Sequence, residues 1–420
     1  MARKKNSEIT PSTLGSFSKL NDLLNTIAPD GEMLDINPIA RIDEWIPTGW
    51  YILNAALSGS LFGGLPNRRS LALAGAEGSG KSFIALSICR MAQQRDYTII
   101  YFDSEGAIDV EFVNRLGLDI SKVRLQPVST IEEFTHIAAQ IAKNVKEEKD
   151  KNGSAPKVMV VLDSLGNLSS EKEKEDTIEG KDKRDMTKQQ KVRQMFRVIG
   201  LDYAKLGIPV IINAHTYDSM SMFTSKEISG GGGLKYNASI ILVLSKGKLD
   251  DADSDKITKS KNIEGAKVGI TIYVTPFKQR FARPIPIQIH IPFFKKPNPF
   301  VGLEKFVSWD ACGILRGKCL TEKEYAKLTD TEKELCKPFT KTTGELVYAL
   351  PKETARSLVC RHLDGEVPLS DLFTERVFTQ EILHELDEKI IKPTFQLPSI
   401  ESLEDLAELT KELEENEGIL

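Results

Sequence analysis

No apolar run in the sequence approaches the ~20 residues that a membrane span requires. The basic opening MARKKNSEIT is followed by no apolar signal core, so the expectation is a cytoplasmic chain. Cysteine is scarce. The five cysteines, Cys89, Cys312, Cys319, Cys336 and Cys360, form no CxxC pair. With His362 nearby a zinc site can be imagined, but structural zinc sites place ligands in close pairs, and the irregular spacing reads instead as reduced thiols. Excess positive charge is also missing: 56 Lys and Arg face 60 Asp and Glu, for a net charge of −4. This excludes a surface that is basic throughout. It leaves room for a local basic strip, which is all that phosphate contacts need.

What is present is an ordinary globular composition, 40% hydrophobic and 28% charged. The 420 residues suffice for one large domain with smaller appendages. Residues 1–30 read as a basic arm and then a helix, since Leu14, Phe17, Leu20, Leu23, Leu24 and Ile27 recur at helical spacing before Pro29. That face packs on its own domain or on a neighbouring copy; spacing does not choose. From Ile46 to about Pro292, β-like runs alternate with helical stretches. The predicted strands are Leu71–Ala74, Thr98–Asp103, Val123–Gln126, Val158–Asp163, Pro209–Asn213, Ile240–Leu244, Val268–Val274 and Ile287–Ile291. Helix-length patterns cover Ser82–Gln93, Ile131–Glu148 and Thr187–Lys205. Such alternation implies an α/β fold with a mostly parallel central sheet and helices on both faces.

Residues 169–188 and 216–235 read as neither strand nor packed helix, and long irregular loops inside a compact domain are often functional. After Pro299 the pattern changes to charged helical segments, read as a small separate C-terminal α/β domain. The expected layout is an N-terminal oligomerisation arm (1–45), a core (46–298), a C-terminal domain (299–395) and an acidic tail (396–420).

The most specific motif is Gly75-Ala76-Glu77-Gly78-Ser79-Gly80-Lys81-Ser82, a full match to GxxxxGK[ST] between an apolar strand and a helix. Glycines let backbone N–H groups turn inward around phosphate oxygens, and the helix N-terminus adds positive potential. In this pattern Lys81 reaches the β- and γ-phosphates and the Ser82 hydroxyl coordinates Mg²⁺. The predicted cofactors are therefore ATP and Mg²⁺. Val158–Asp163 ends in an acid where P-loop proteins complete the metal shell, which makes Asp163 the second metal residue. A third strand ends in Asp103-Ser104-Glu105, either of whose acids can serve as general base or merely cap the turn.

These segments, with YFDSEGAIDVEFVNRLGLD, VVLDSLGNL, INAHTY and SGGGGLKY in that order, resemble the RecA-type recombinases, and DSLGNLSSEKEKED with HTY is similar to the phage UvsX group. The resemblance covers residues 50–292 strongly and 300–395 faintly. It implies a RecA-like P-loop ATPase core in which Glu105 activates water and Asp163 is the Walker B acid. His215 stands where most of the family has a glutamine that senses the γ-phosphate. Lys278 and Arg280 match cations that reach the ATP of a neighbouring subunit, and Asp109 and Phe112 match positions near the adenine.

The resemblance also places the two irregular loops at the DNA sites. The first implies Met186, Arg193 and Arg197. The second implies Met222, Phe223, Lys226, Gly230, Gly231, Gly232 and Lys235. Cations suit phosphates, glycines allow close approach, and Met or Phe can wedge between bases. The implied activity is DNA-dependent ATP hydrolysis coupled to strand exchange, in recombination, repair and recombination-dependent replication. Implied partners are single-stranded DNA, homologous duplex, further copies in a helical filament, a loading mediator and a single-stranded DNA-binding protein. If the chain is phage-encoded, it works in the host cytoplasm. The alternatives are a ring helicase on the same core and a scaffold that uses ATP only as a structural ligand. The acidic tail is either solvated or gates DNA access.

Overall fold

The run Val158-Met159-Val160-Val161-Leu162-Asp163 has no polar residue before its last, and all six positions are buried. A strand of that kind belongs in the middle of a parallel sheet with both faces covered. The computed structural model places it there; it describes residues 19–20, 22–24, 26, 41–180, 187–218, 226–251, 267–293 and 296–398. The chain divides by contact into residues 1–44 and Trp45 onward. In the first unit Lys19, Leu20, Asp22, Leu23, Leu24 and Thr26 are helical, in keeping with the leucine spacing. Leu14, Phe17, Ile27, Pro29 and nearly all of the acidic tail lie outside the described residues.

From Trp45 the elements run β1 (Trp45–Ile46), α1 (Tyr51–Ser58), β2 (Leu65–Pro66), β3 (Ser70–Gly75), α2 (Lys81–Gln93), β4 (Thr98–Asp103), α3 (Val110–Leu116), β5 (Val123–Pro127) and α4 (Ile131–Asn152). Then follow β6 (Val158–Asp163), α5 (Glu171–Ile178), α6 (Lys188–Leu206), β7 (Val210–Asp218), β8 (Lys226–Ile228), α7 (Gly231–Asn237), β9 (Ile240–Asp251), β10 (Lys267–Lys278) and β11 (Ile287–Pro292). The main sheet has the order β11-β10-β9-β3-β7-β6-β4-β5, with β8 paired to β7. From β9 to β5 neighbours are parallel, and β10 and β11 close one side antiparallel.

Each face of the sheet has its own apolar layer. On one, α4 buries Ile131, Phe134, Ala138, Ala142 and Val145, and α6 buries Val192, Met195, Phe196, Ile199 and Tyr203, each set at helical spacing. Thr130 caps α4 by accepting from Glu133 N, and left-handed Gly153 ends it. On the other face α2 buries Phe83, Ile84, Leu86 and Ile88 against Leu71 and Leu73 of β3.

Two expectations needed correction. Charged helical segments were expected after Pro299, whereas Ile314–Thr321, Leu346–Pro351, Ser357–Cys360, Lys337–Thr340 and Gly365–Pro368 form a five-stranded antiparallel sheet. The charged stretch around Glu322–Leu335 makes only two short helices. The buried side chains of this region, Phe300, Phe378, Leu383 and Phe395 among them, join the same apolar cluster as α1 and α2. At that junction buried Asp387 accepts from Ser60 Oγ and Leu61 N, both at 2.7 Å. The second correction concerns the two supposedly irregular stretches. Glu171–Ile178 is a solvated helix with a Ser170–Glu173 capping box. The glycine run starts a helix, α7, after left-handed Gly230.

Candidate functional site

The C-terminal ends of β3, β4, β6 and β7 gather the chemistry at one edge of the sheet. Register shows why: Asp103 pairs with Asp163 across β4 and β6, and Gly75 pairs with His215 across β3 and β7. At the end of β3 the chain turns through Gly78 (φ +66°) and Gly80 (φ +85°) directly into α2. Gly80 is left-handed, and a Cβ there would also displace the end of the Ile291 side chain, 2.3 Å away, so the backbone conformation favours glycine.

The residues of this loop fit a polyphosphate. Lys81 Nζ donates to the loop carbonyls of Gly75 and Ala76, each at 3.0 Å. Burial pushes its ammonium below the ordinary value, against the pull of Asp163, Glu105 and Glu77. The Ser79 hydroxyl is buried without a hydrogen-bond partner among the described residues. Ser82 Oγ donates to Asp163 Oδ2 at 2.6 Å, which sets two oxygen ligands side by side, as a Mg²⁺ shell needs. Tyr101 OH donates to the same oxygen. Burial, with Asp163 beside it, pushes that phenol well above its ordinary pKa, so it stays a donor.

The two acids after β4 divide their work. Asp103 Oδ1 accepts from Glu105 N (2.9 Å) and Gly106 N (2.8 Å), so Asp103 caps the turn. Glu105 is left to face the site. Its Oε1 accepts from Ser164 Oγ at 2.6 Å and lies 3.0 Å from His215 Nε2, which is itself 3.1 Å from Ser164 Oγ. Burial works to raise the Glu105 pKa, but Ser164, His215 and Lys81 together outweigh it and hold the carboxyl below its usual value.

His215 also ties the site to the second loop. Its N–H donates to Ser229 Oγ (2.9 Å), and Ser229 N donates back to its carbonyl (2.8 Å). The ends of the segment that holds Met222 and Phe223 are therefore fastened at the residue that grips Glu105. Gly166 lies against this histidine, and a Cβ there would come within 2.8 Å of the ring. Sequence reasoning missed Ser164, Ser229, Tyr101 and Gly166. One signal was available: two strands ending in the same Asp-Ser pair, 103–104 and 163–164. Ser104 Oγ in fact donates to Ser164 O at 2.8 Å.

Asp109 caps α3 by accepting from Glu111 N (3.3 Å) and Phe112 N (3.2 Å), and the Phe112 ring packs 6.1 Å from that of Phe83. Arg193 and Arg197 are exposed on the face of α6 turned away from Met195 and Phe196. Lys226 opens β8, and Lys235 Nζ sits 5.6 Å above the exposed Phe277 ring. The glycines have a packing role that the sequence did not disclose. A Cβ on Gly233 would meet the β-branched Val192 at 2.8 Å, so a glycine there lets α7 approach α6, while Gly231 answers a left-handed backbone (φ +51°). Met186, Met222 and Phe223 lie outside the described residues.

Lys278 and Arg280 stand elsewhere. Across β3, β9 and β10 the register aligns Gly75 with Leu244 and Val274, but Ala72 with Ile241 and Lys278. Lys278 is thus about three residues, on the order of 10 Å, back toward the opposite edge of the sheet. There its Nζ donates to the carbonyls of Lys235 and Tyr236 at the end of α7, both at 2.9 Å.

A parallel sheet whose glycine loop turns straight into a helix, with an aspartate hydrogen-bonded to the hydroxyl after the loop lysine, defines the P-loop class of α/β proteins. Residues 33–285 match the family described as RecA N-terminal domain. Similar proteins include a "Recombination and repair protein" of Enterobacteria phage T4, 32% identical over 202 residues, which are 48% of this chain and 50% of that protein. "Protein RecA" of Paracoccus denitrificans is 28% identical over 58% of this chain and 64% of its own length. "Protein RecA" of Lactobacillus delbrueckii subsp. bulgaricus is 30% identical over 56% and 66%. The chain therefore spans between half and two thirds of these relatives. It belongs to the RecA family. No helix among the described residues is long and apolar enough to cross a membrane.

Proposed function

We propose that this chain is an ATP-dependent strand-exchange recombinase that polymerises on single-stranded DNA and pairs it with homologous duplex. One observation carries the reading. The phosphate loop and Glu105 occupy one edge of the sheet, while Lys278 is displaced toward the other and Arg280 lies near enough to Arg69, just before the start of β3, to repel its charge. A surface that offers an anion site at one edge and cations at the opposite edge repeats head to tail, and where the rotation between copies does not close into a ring the repeat is a helical filament. Each nucleotide then lies between two copies, held by Gly75–Ser82 of one and approached by the cations of the next.

Within that interface Lys81 and the loop N–H groups bind and orient the polyphosphate, and Ser82 with Asp163 would hold Mg²⁺, which would neutralise phosphate charge. Glu105 takes the proton from the attacking water. Lys278 and Arg280 meet the charge that develops on the transferred group. His215 relays the state of this site to the loop fastened at Ser229. Arg193, Arg197, Lys226, Lys235, Met186, Met222 and Phe223 contact DNA, Asp109 and Phe112 border the base, and glycines 230–232 let the loop approach the strand. Residues 1–45 serve as the oligomerisation arm, 46–298 as the core, 299–395 as the C-terminal domain and 396–420 as an acidic tail. A loading mediator and a single-stranded DNA-binding protein are the further partners, in the cytoplasm where the DNA is.

Phosphate release measured with and without single-stranded DNA tests the reading: a recombinase is stimulated by the strand, and an unstimulated rate contradicts it. The Glu105 environment adds a pH dependence. Because its pKa is depressed, activity is present above that pKa and is lost as pH falls through it. Ser164→Ala removes a hydrogen bond to the charged form, raises the pKa, and moves the acid limb of the kcat profile upward. An unmoved acid limb contradicts Glu105 as the base.

A further inference from the structure

The strand β9 does not stop where its pairing with the phosphate-loop strand stops. Gly75 is matched by Leu244, and the chain continues past the loop, so Lys246 arrives beside it. A Cβ built on Gly78 finds only this side chain within 4 Å, with Nζ at 3.0 Å and Cε at 3.3 Å. The backbone is shaped to keep that aim. Between the pairs Ile272↔Lys246 and Ile270↔Leu249, β9 advances three residues while β10 advances two, which is a β-bulge directly after the lysine. Bulges re-aim side chains and cluster beside functional sites. Gly247 makes this one possible, because a Cβ there would strike the Tyr273 ring at 2.7 Å and the Thr271 carbonyl at 2.9 Å. Among the described residues no carboxylate is placed within ion-pair distance of Lys246, whose charge is instead felt as repulsion at Lys81. Two ammonium groups turned on one glycine cradle are stable together when an anion lies between them.

We propose that Lys246 is a second phosphate-binding cation of the nucleotide site, supplied in cis, that grips nucleoside di- and triphosphates beyond their first phosphate. The inference rests on the nucleotide-site reading above and adds to it a residue outside the GxxxxGK[ST] motif. The same cation has the chemistry to hold a DNA phosphate, so the test separates the two sources.

Competition binding of a fluorescent ADP analogue to the full chain without DNA gives affinities for AMP, ADP and ATP. Lys246→Ala is expected to weaken ADP and ATP about tenfold, the loss of one charge-assisted hydrogen bond at an exposed lysine, and to leave AMP unchanged. Lys246→Arg, which keeps the charge and the strand, retains most of the affinity. Lys248→Ala, with the same loss of charge two residues on, binds all three nucleotides normally. At saturating ATP, the affinity of Lys246→Ala for single-stranded DNA and its salt slope stay at wild-type values. Unchanged ADP and ATP affinities in Lys246→Ala overturn the inference. So does an equal loss in Lys248→Ala, or a defect confined to DNA binding with a salt slope lower by about one. A wild-type chain that binds no nucleotide at all overturns the underlying reading as well.

Discussion

Glu105→Ala is expected to cripple phosphate release while assembly on single-stranded DNA still responds to ATP. The separation is expected because binding and hydrolysis rest on different residues. On the proposed reading the phosphate loop, Lys81 and the Ser82–Asp163 pair would hold the nucleotide, and none of them hydrogen-bonds to Glu105. Nor does the substitution unmake the turn that carries it, since Asp103 supplies the capping oxygen for the N–H groups of residues 105 and 106. Removing a general base costs about 10²- to 10⁴-fold in rate. The loss should therefore appear in kcat, with filaments formed in ATP persisting longer than those of the wild type. Turnover at the normal rate would mean that another group activates the water.

Mixing two inactive variants gives back activity. Arg280→Ala alone is expected to lose about 10³-fold, in the range for cations that meet charge developing on a transferred phosphoryl group. Glu105→Ala loses turnover through the other half of the interface. If the nucleotide lies between copies, a mixed filament contains interfaces in which intact Glu105 of one copy faces intact Arg280 of the next. In a random equimolar mixture roughly one heterologous interface in four is complete, so the rate recovers to about a quarter of wild type. Were the cations to act within their own chain, no combination would restore a complete site. The mixture would then be as slow as its components. Alignment of Lys278 with Ala72 rather than with Gly75 favours the first outcome.

The parts legible in the sequence were those with one dominant physical cause. Val158–Asp163, buried on both faces, and Thr98–Asp103, buried over most of its length, were placed to the residue because each is an apolar-rich run ending abruptly in an acid. The phosphate loop was legible because its chemistry needs particular residues at fixed spacing. Where several weak causes add, the reading faltered. β7, β9 and β10 extend to Asp218, Asp251 and Lys278, beyond the predicted Asn213, Leu244 and Val274. The β7 and β9 extensions soon turn polar and the β10 extension runs through Pro276, so the apolar strand pattern ends early, yet they carry His215, Lys246 and Lys278. The glycine run looked like loop because glycine disfavours helix by about 1 kcal/mol per residue. Its contact with Val192 and Gln189 is a tertiary reason that no local pattern contains. The C-terminal sheet was masked by Lys- and Glu-rich segments around its short strands, whose alternation, as in Leu346–Pro351, spans only a few residues. Choosing between Asp103 and Glu105 took either the family resemblance or the hydrogen bonds; spacing alone was silent.

The central claim is that nucleotide at the junction of successive copies sets the hold on DNA. Electron microscopy and co-sedimentation of the chain with single-stranded DNA, with a non-hydrolysable ATP analogue and without nucleotide, test it most directly. The account predicts a continuous helical coat and DNA retention in high salt only when the analogue is present. Equal retention in both conditions, with no end-to-end assembly in either, would contradict it.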